Sequence, residues 1–271
     1  MGCNGPCNLI RAGNRILEKI IAVWFSCGAA SAAALKLTLE RFPDEDVRAI
    51  NQPILEEHAD NHRFLKDVAE WCNIEIEEYS AKKYPLASAV EVWERRKAMV
   101  FPHGAPCTVH LKKEAREEWE VTNKPDFHVL GFTAEERNRH DRFVLTEREN
   151  VIPILIDADM TKADCGDMIR GAGIKLPAIY DHGFPNANCL GCVKATSPTY
   201  WNHVRREFPD VFDARAEQSR RLGVRLVRVD NERIFLDELH SAAIGAPMWQ
   251  MPACSLFCEE WTAPKSKKNS D

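Results

Sequence analysis

The sequence predicts an α/β fold: a doubly wound, mostly parallel sheet with a small C-terminal subdomain. Three observations carry this reading. The apolar run Ile20–Phe25 has the length of a strand buried on both faces, and it passes through the small residues Ser26, Cys27, Gly28, Ala29, Ala30 and Ser31 into the helix-forming run Ala32–Leu37. Strand-like and helix-like segments alternate after it, as crossover connections in a parallel sheet require. The 271 residues suffice for one large α/β domain with an appended piece.

The elements follow in order. Val47–Asn51 reads as the second strand, and Glu56–Phe64 opens a helix that runs to Trp71, with Asp60 or Asn61 as N-cap and Phe64, Leu65, Val68 and Trp71 at helical spacing. Ile74–Glu77 alternates as a third strand; Ala87–Met99 is helical with Val90, Trp93 and Met99 inward. Pro106–Lys112 leads into a helix containing Trp119, and Phe127–Phe132 is a short strand. Thr133, three residues before Glu136, signs a capping box for a polar helix with Arg137, Arg139, His140 and Arg142. Val151–Asp157 is the next strand, and Thr161 caps the helix after it. Beyond Pro198 come a charged helical segment with Trp201, Val204 and Phe208, a second over Ala214–Leu222, and the strand-like Val224–Val229 and Ile234–Leu236.

A formal charge of −5 with 28% charged residues excludes a wholesale nucleic-acid-binding surface while leaving room for a local basic patch. No apolar stretch has the length of a membrane span and the first residues lack a signal-peptide pattern, so a cytoplasmic protein with no membrane partner is expected. Ten cysteines in a reducing compartment are to be sorted into buried, metal-binding and catalytic rather than paired; Cys72 and Cys165 read as buried and inert.

Two stretches carry chemistry on residue grounds. The exposed N–H groups of the Ser26–Ser31 turn, backed by the helix dipole, suit a phosphate or another anion, with hydroxyls from Ser26 and Ser31; the plain alternative is a tight turn packed on a core. Cys189 and Cys192, with Gly191 between them, can aim two thiolates at one metal, or form a redox pair.

The turn resembles the pyrophosphatase loop (PP-loop), Ser-Gly-Gly-x-Asp-Ser, of the adenine nucleotide α-hydrolase superfamily. Ser26, Gly28 and Ser31 match, Cys27 stands for a glycine and Ala30 for the aspartate. Further segments resemble the phosphoadenosine phosphosulfate (PAPS) reductase family within it: Asp60-Asn61 followed by Phe64, the Gly131–Arg137 segment, the Pro153–Asp164 stretch, and Cys107 placed 82 residues before Cys189. The resemblance covers roughly residues 20 to 260 and implies the following. Asp60 lies beside the nucleotide; Arg137 and Arg142 contact its phosphate or sulfate. Cys107, Cys189 and Cys192 hold an iron–sulfur cluster of the 4Fe–4S type, with zinc as the competing metal. Cys254 is the sulfur nucleophile of the reductase tail, whose neighbouring residues are replaced here, or else Cys254 and Cys258 complete the cluster.

The domains implied are an arm over 1–19, a PP-loop domain over 20–197 with most of the cysteine group, a C-terminal subdomain over 198–262 and a disordered tail over 263–271. The activity implied is sulfonucleotide reduction or related sulfur transfer, by an enzyme using PAPS or ATP and a thiol or sulfide donor. ATP-dependent sulfur insertion into tRNA or DNA is the alternative, and a non-catalytic nucleotide-binding module is a third. Ala30 cannot ligate magnesium as the loop aspartate would, which argues against tight Mg-ATP binding; the altered tail argues against the reductase.

Overall fold

The computed structural model describes residues 18–101 and 104–250. Its centre is strand β1 (Ile20–Phe25), followed by helix α1 (Ala29–Arg41), β2 (Asp46–Asn51), α2 (Asn61–Cys72), β3 (Ile76–Glu78), α3 (Ala89–Arg96), α4 (Glu114–Asn123) and β4 (Phe127–Val129). Helix α5 (Arg137–Thr146), β5 (Val151–Ile152), the single turn α6 (Ile154–Asp157) and α7 (Lys162–Gly171) complete the sheet domain. The five strands lie in the order β3-β2-β1-β4-β5, and every pairing between them is parallel.

The alternation of side chains along β1 builds two layers. Ile21, Val23 and Phe25 pack with Ala32, Ala33 and Leu35 of α1, Phe64 and Val68 of α2, and Cys165 and Ile169 of α7. Ala22 and Trp24 point the other way, against Trp119 of α4 and Phe143 of α5. Helices therefore cover both faces, as the doubly wound reading expects. Cys72 and Cys165 are buried in the first layer.

A third core joins α3 to the later part of the chain: Trp93, Leu111, Ile179, Phe184, Tyr200 and Trp201 of α8 (Pro198–Glu207), and Phe212 of α9 (Pro209–Arg221). The antiparallel hairpin β6 (Val227–Val229) and β7 (Glu232–Ile234) adds Val227 to it. Asp230 and Asn231 turn that hairpin with φ of 47° and 66°, the pair of positive values a two-residue primed turn needs. No helix among the described residues is long and apolar enough to cross a membrane.

Several boundaries differ from those expected. The predicted strand Val151–Asp157 keeps only its first two residues, because Pro153 has no N–H for the ladder and the chain continues as α6, with Ile154, Leu155 and Ile156 buried. Helix α3 is shorter than Ala87–Met99. Ser88 Oγ accepts from Glu91 N at 3.1 Å and starts it, and Lys97 in the left-handed region (φ 51°) stops it. Between Cys107 and α4, Thr108–Lys113 winds as a π-helical segment, a form no sequence periodicity announces. The expected strand Phe127–Phe132 pairs only through Val129.

Candidate nucleotide site and cysteine group

The Ser26–Ser31 turn leaves the carboxyl end of β1. Its neighbour β4 lies on the opposite side from β2 and β3, so this end of β1 is where the strand order reverses, the position at which open α/β sheets bind their ligands. Asn51, the last residue of β2, braces the turn: its Nδ2 donates to Phe25 O at 2.9 Å and to Cys27 Sγ at 3.5 Å. Cys27 adopts φ 54°, the conformation for which glycine is the usual residue, at the position where the motif has a glycine. Its thiol is buried, and burial, with Glu57 adding to it, pushes its pKa far above the ordinary thiol range.

Three amides of the turn end on hydroxyls. Ser26 N and Gly28 N donate to Ser31 Oγ at 3.1 and 3.3 Å, and Ser31 Oγ donates to Gly28 O at 2.9 Å. Ala29 N donates to the Tyr180 hydroxyl at 3.3 Å. Ser26 is exposed and Gly28 half-buried, so the rim faces solvent. On the β4 side the backbone comes very close: a Cβ on Gly131 would stand 2.8 Å from Ser31 N and 3.0 Å from Ala30 C. The first turn of α1 holds no acidic residue.

The other residues expected near a nucleotide are placed unequally. Asp60 binds Arg63 through both oxygens at 2.7 Å and accepts from Ala178 N at 2.8 Å. Arg63 in turn donates to the carbonyls of Lys175 and Leu176. The Arg63 guanidinium holds the Asp60 carboxyl below the usual range, and together they anchor the segment that carries Tyr180. Arg137 is exposed at the first residue of α5, just past the β4 end. Arg142 is exposed further along α5, its Nε directed at Asn138 O (3.4 Å).

The cysteine group lies in the third core. Cys192 is buried within it, Cys107 and Cys189 are half-buried against it. Gly191 shapes the loop with φ 64°, Leu190 N donates to Glu56 O at 2.9 Å, and Cys192 N donates to the Tyr200 hydroxyl at 2.7 Å. Behind the loop stands Arg215, 4% exposed and stacked over the Trp93 ring at 4.4 Å. A metal centre requires several of these donors set around one point. Among the described residues no three His, Cys, Asp or Glu side chains are so set, so Cys107, Cys189 and Cys192 by themselves do not close around one metal. Cys254 and Cys258 lie outside the described residues.

No family model and no curated protein matches the chain. Solved structures similar to it include the following two. One is phosphoadenylyl-sulfate (PAPS) reductase from Candida auris in a phosphate complex: 12% identity, TM-score 0.45, covering 62% of this chain and 80% of that one. The other is the U34-tRNA thiolase NcsA from Methanococcus maripaludis with its [4Fe-4S] cluster: 12% identity, TM-score 0.38, covering 77% of this chain and 69% of that one. Likeness of this degree assigns no activity, and what the chain does has to be argued from its own residues.

The sequence singles out neither Tyr180 nor Arg215, and it marks Asn51 only as the end of the second strand and Gly131 only as the start of the Gly131–Arg137 segment. Tyr180 and Arg215 meet their partners only through tertiary packing, and no local pattern marks them. Gly131 had a signal, a lone glycine at the end of a predicted strand.

Proposed function

We propose that the chain is an enzyme of sulfur chemistry that binds an adenine nucleotide through its phosphates at the Ser26–Ser31 turn. The observation that carries this reading is the position of the turn: it sits at the strand-order reversal between β1 and β4, with the motif's glycine conformation kept at Cys27. Gly131 on the facing segment supports it, since only a residue without Cβ lets the two backbones close on each other there.

PAPS is the nucleotide this site favours. A triphosphate held through magnesium calls for a carboxylate near the phosphates, and the first turn of α1 has none. A sulfonucleotide needs only amide and hydroxyl donors and a nearby cation, for which Arg137 at the head of α5 is the nearest in sequence to the facing segment. Binding would transfer the turn's amides from Ser31 Oγ and the Tyr180 hydroxyl to phosphate oxygens. Sulfur insertion into tRNA or DNA with ATP is the second reading, favoured by the gathering of Cys107, Cys189 and Cys192 against one core.

An iron–sulfur cluster on those three cysteines, with Cys254 or Cys258 as a fourth ligand or one iron left open, belongs to either reading. It would supply either a sulfide carrier or a field around the nucleotide; no step is derived through it, because the described donors do not close around a point. The test is calorimetric titration of PAPS and ATP side by side into anaerobically purified protein, with iron and acid-labile sulfide measured on the same sample. Saturable binding with PAPS the tighter ligand is expected. Absence of binding by both nucleotides would overturn the reading, and zinc without labile sulfide would remove the cluster from it.

A further inference from the structure

We propose that the outer face of the β6–β7 hairpin, through Arg225, Arg228 and Arg233, is a docking surface for the phosphodiester backbone of RNA. The register of the hairpin puts Arg228 directly opposite Arg233, so their side chains leave the same face, with Cα atoms about 5 Å apart. Val227 and Ile234 take the other face and pack on the third core. Like charges opposed in this way destabilise a hairpin. Glu232, the acidic residue of β7, stands opposite Val229 on the core side of the ladder and forms no ion pair with either arginine.

Arg225, Arg228 and Arg233 are all exposed, and no carboxylate lies within ion-pair distance of any of them among the described residues. Exposed arginines elsewhere are matched: Arg41, Arg95, Arg170, Arg220 and Arg221 each hold a carboxylate. Two of the hairpin's guanidinium groups are also held in place. Arg233 Nη1 donates to the carbonyls of Arg225 and Leu226 at 3.3 and 3.4 Å, and the Arg225 guanidinium lies over the Phe235 ring at 5.2 Å. Grouped guanidinium groups without a counter-charge match a run of phosphates in both charge and fork geometry. The tip of the hairpin favours RNA over DNA: Asp230 and Asn231, both exposed, can accept from a 2′-hydroxyl, whereas Asp230 beside a DNA strand meets only like charge. The surface adjoins the cysteine loop, since Arg228 N donates to Thr196 O at 2.8 Å, four residues past Cys192. It deepens the second functional reading, in which a nucleic acid accepts sulfur, and rests on that reading.

The experiment is fluorescence anisotropy of a labelled RNA stem-loop with the full-length protein, between about 50 and 200 mM potassium chloride, beside a DNA of the same sequence. Saturable RNA binding should weaken with salt at a log–log slope of about −2 to −3, the value for three phosphate contacts. Arg228→Gln with Arg233→Gln should lower the affinity about tenfold or more and bring the slope about 1 to 2 nearer to zero. Arg170→Gln, which removes a charge from α7 instead, should leave affinity and slope unchanged. Arg233→Glu sets an opposite charge across from Arg228, so its Tm should hold or rise while RNA affinity falls, which tells a lost contact from a lost fold. No saturable RNA binding, DNA bound as tightly as RNA, an equal loss in Arg170→Gln, or full affinity in the double variant would each overturn the proposal. Binding of PAPS or ATP without RNA would strike the hairpin surface alone. RNA bound at the hairpin by a protein that takes up neither nucleotide would instead strike the reading of the Ser26–Ser31 turn.

Discussion

Replacing Gly131 by alanine separates the fold of the nucleotide turn from its use. The added Cβ would lie 2.8 Å from Ser31 N, 3.0 Å from Ala30 C and 3.1 Å from Ser31 Cα. All three atoms are backbone, in the first turn of a helix whose Ala32, Ala33, Ala34 and Leu35 are fully buried, so none can rotate aside. Relief requires the end of β4 and the start of α1 to part by more than half an ångström at the centre of the core. Overpacking of this kind costs about 1–3 kcal/mol, and rigid neighbours put this case near the upper figure. For a protein of this size that is a fall in Tm of about 6–12 °C. Gly28→Ala is the control: its Cβ would meet the Tyr180 hydroxyl at 3.5 Å and Ser26 Oγ at 3.9 Å, ordinary contacts, at a φ of −105° that any residue adopts. Stability should change by less than about 1 kcal/mol, while the methyl over the turn lowers nucleotide affinity tenfold or more. Urea unfolding followed by tryptophan fluorescence measures the first effect and calorimetry the second. Equal stability of Gly131→Ala and the unsubstituted protein would refute the close approach; a stable Gly28→Ala with undiminished affinity would refute the phosphate seat.

Two further outcomes follow from buried titratable groups. His128 is 2% exposed and accepts the Trp24 indole N–H on Nδ1 at 3.1 Å; burial, with Arg148 and Arg116 nearby, brings its pKa down to about 3 from the ordinary 6.5. Between those values the unfolded chain binds a proton that the folded one does not, so this contribution to stability is full above pH 6.5 and is lost as pH falls toward 3. The loss is a few kcal/mol at most, and His128→Phe should flatten the pH dependence of urea midpoints over that window; an unchanged slope would contradict the assignment. Cys27, Cys72 and Cys165 are buried, and burial pushes Cys72 up to about 11, Cys165 up to about 12 and Cys27 beyond that. All three should resist iodoacetamide at pH 8 in the folded protein, and rapid labelling of any of them would show that its layer opens.

How much of this was legible in the sequence depends on whether the cause was local. Strand β1, its turn and α1 were readable because an apolar run, small residues and helix formers follow one another without interruption. Thr161 was readable as a cap because Asp164, three residues on, answers it: Thr161 Oγ1 accepts from Asp164 N at 3.2 Å and donates to the carboxylate at 2.6 Å. The overlong strand after Val151 came from weighing the apolar run above Pro153, whose missing N–H decides the outcome. Asp60 was legible as a residue just past β2, but its partner Arg63 and the amide of Ala178 take up both of its oxygens, which no local pattern discloses. The three cysteines share one core, while the buried Arg215 whose Nε packs behind Gly191 comes from a helix 23 residues beyond Cys192.

Hydrogen exchange followed by mass spectrometry, with and without saturating PAPS, tests the central claim most directly. The account predicts that the nucleotide slows exchange in peptides covering Ser26–Ser31 and Gly131–Arg137, the two segments that meet past the ends of β1 and β4, and leaves β6 and β7 unchanged. Saturable PAPS binding with the protection elsewhere, and none on the Ser26–Ser31 turn, would contradict it.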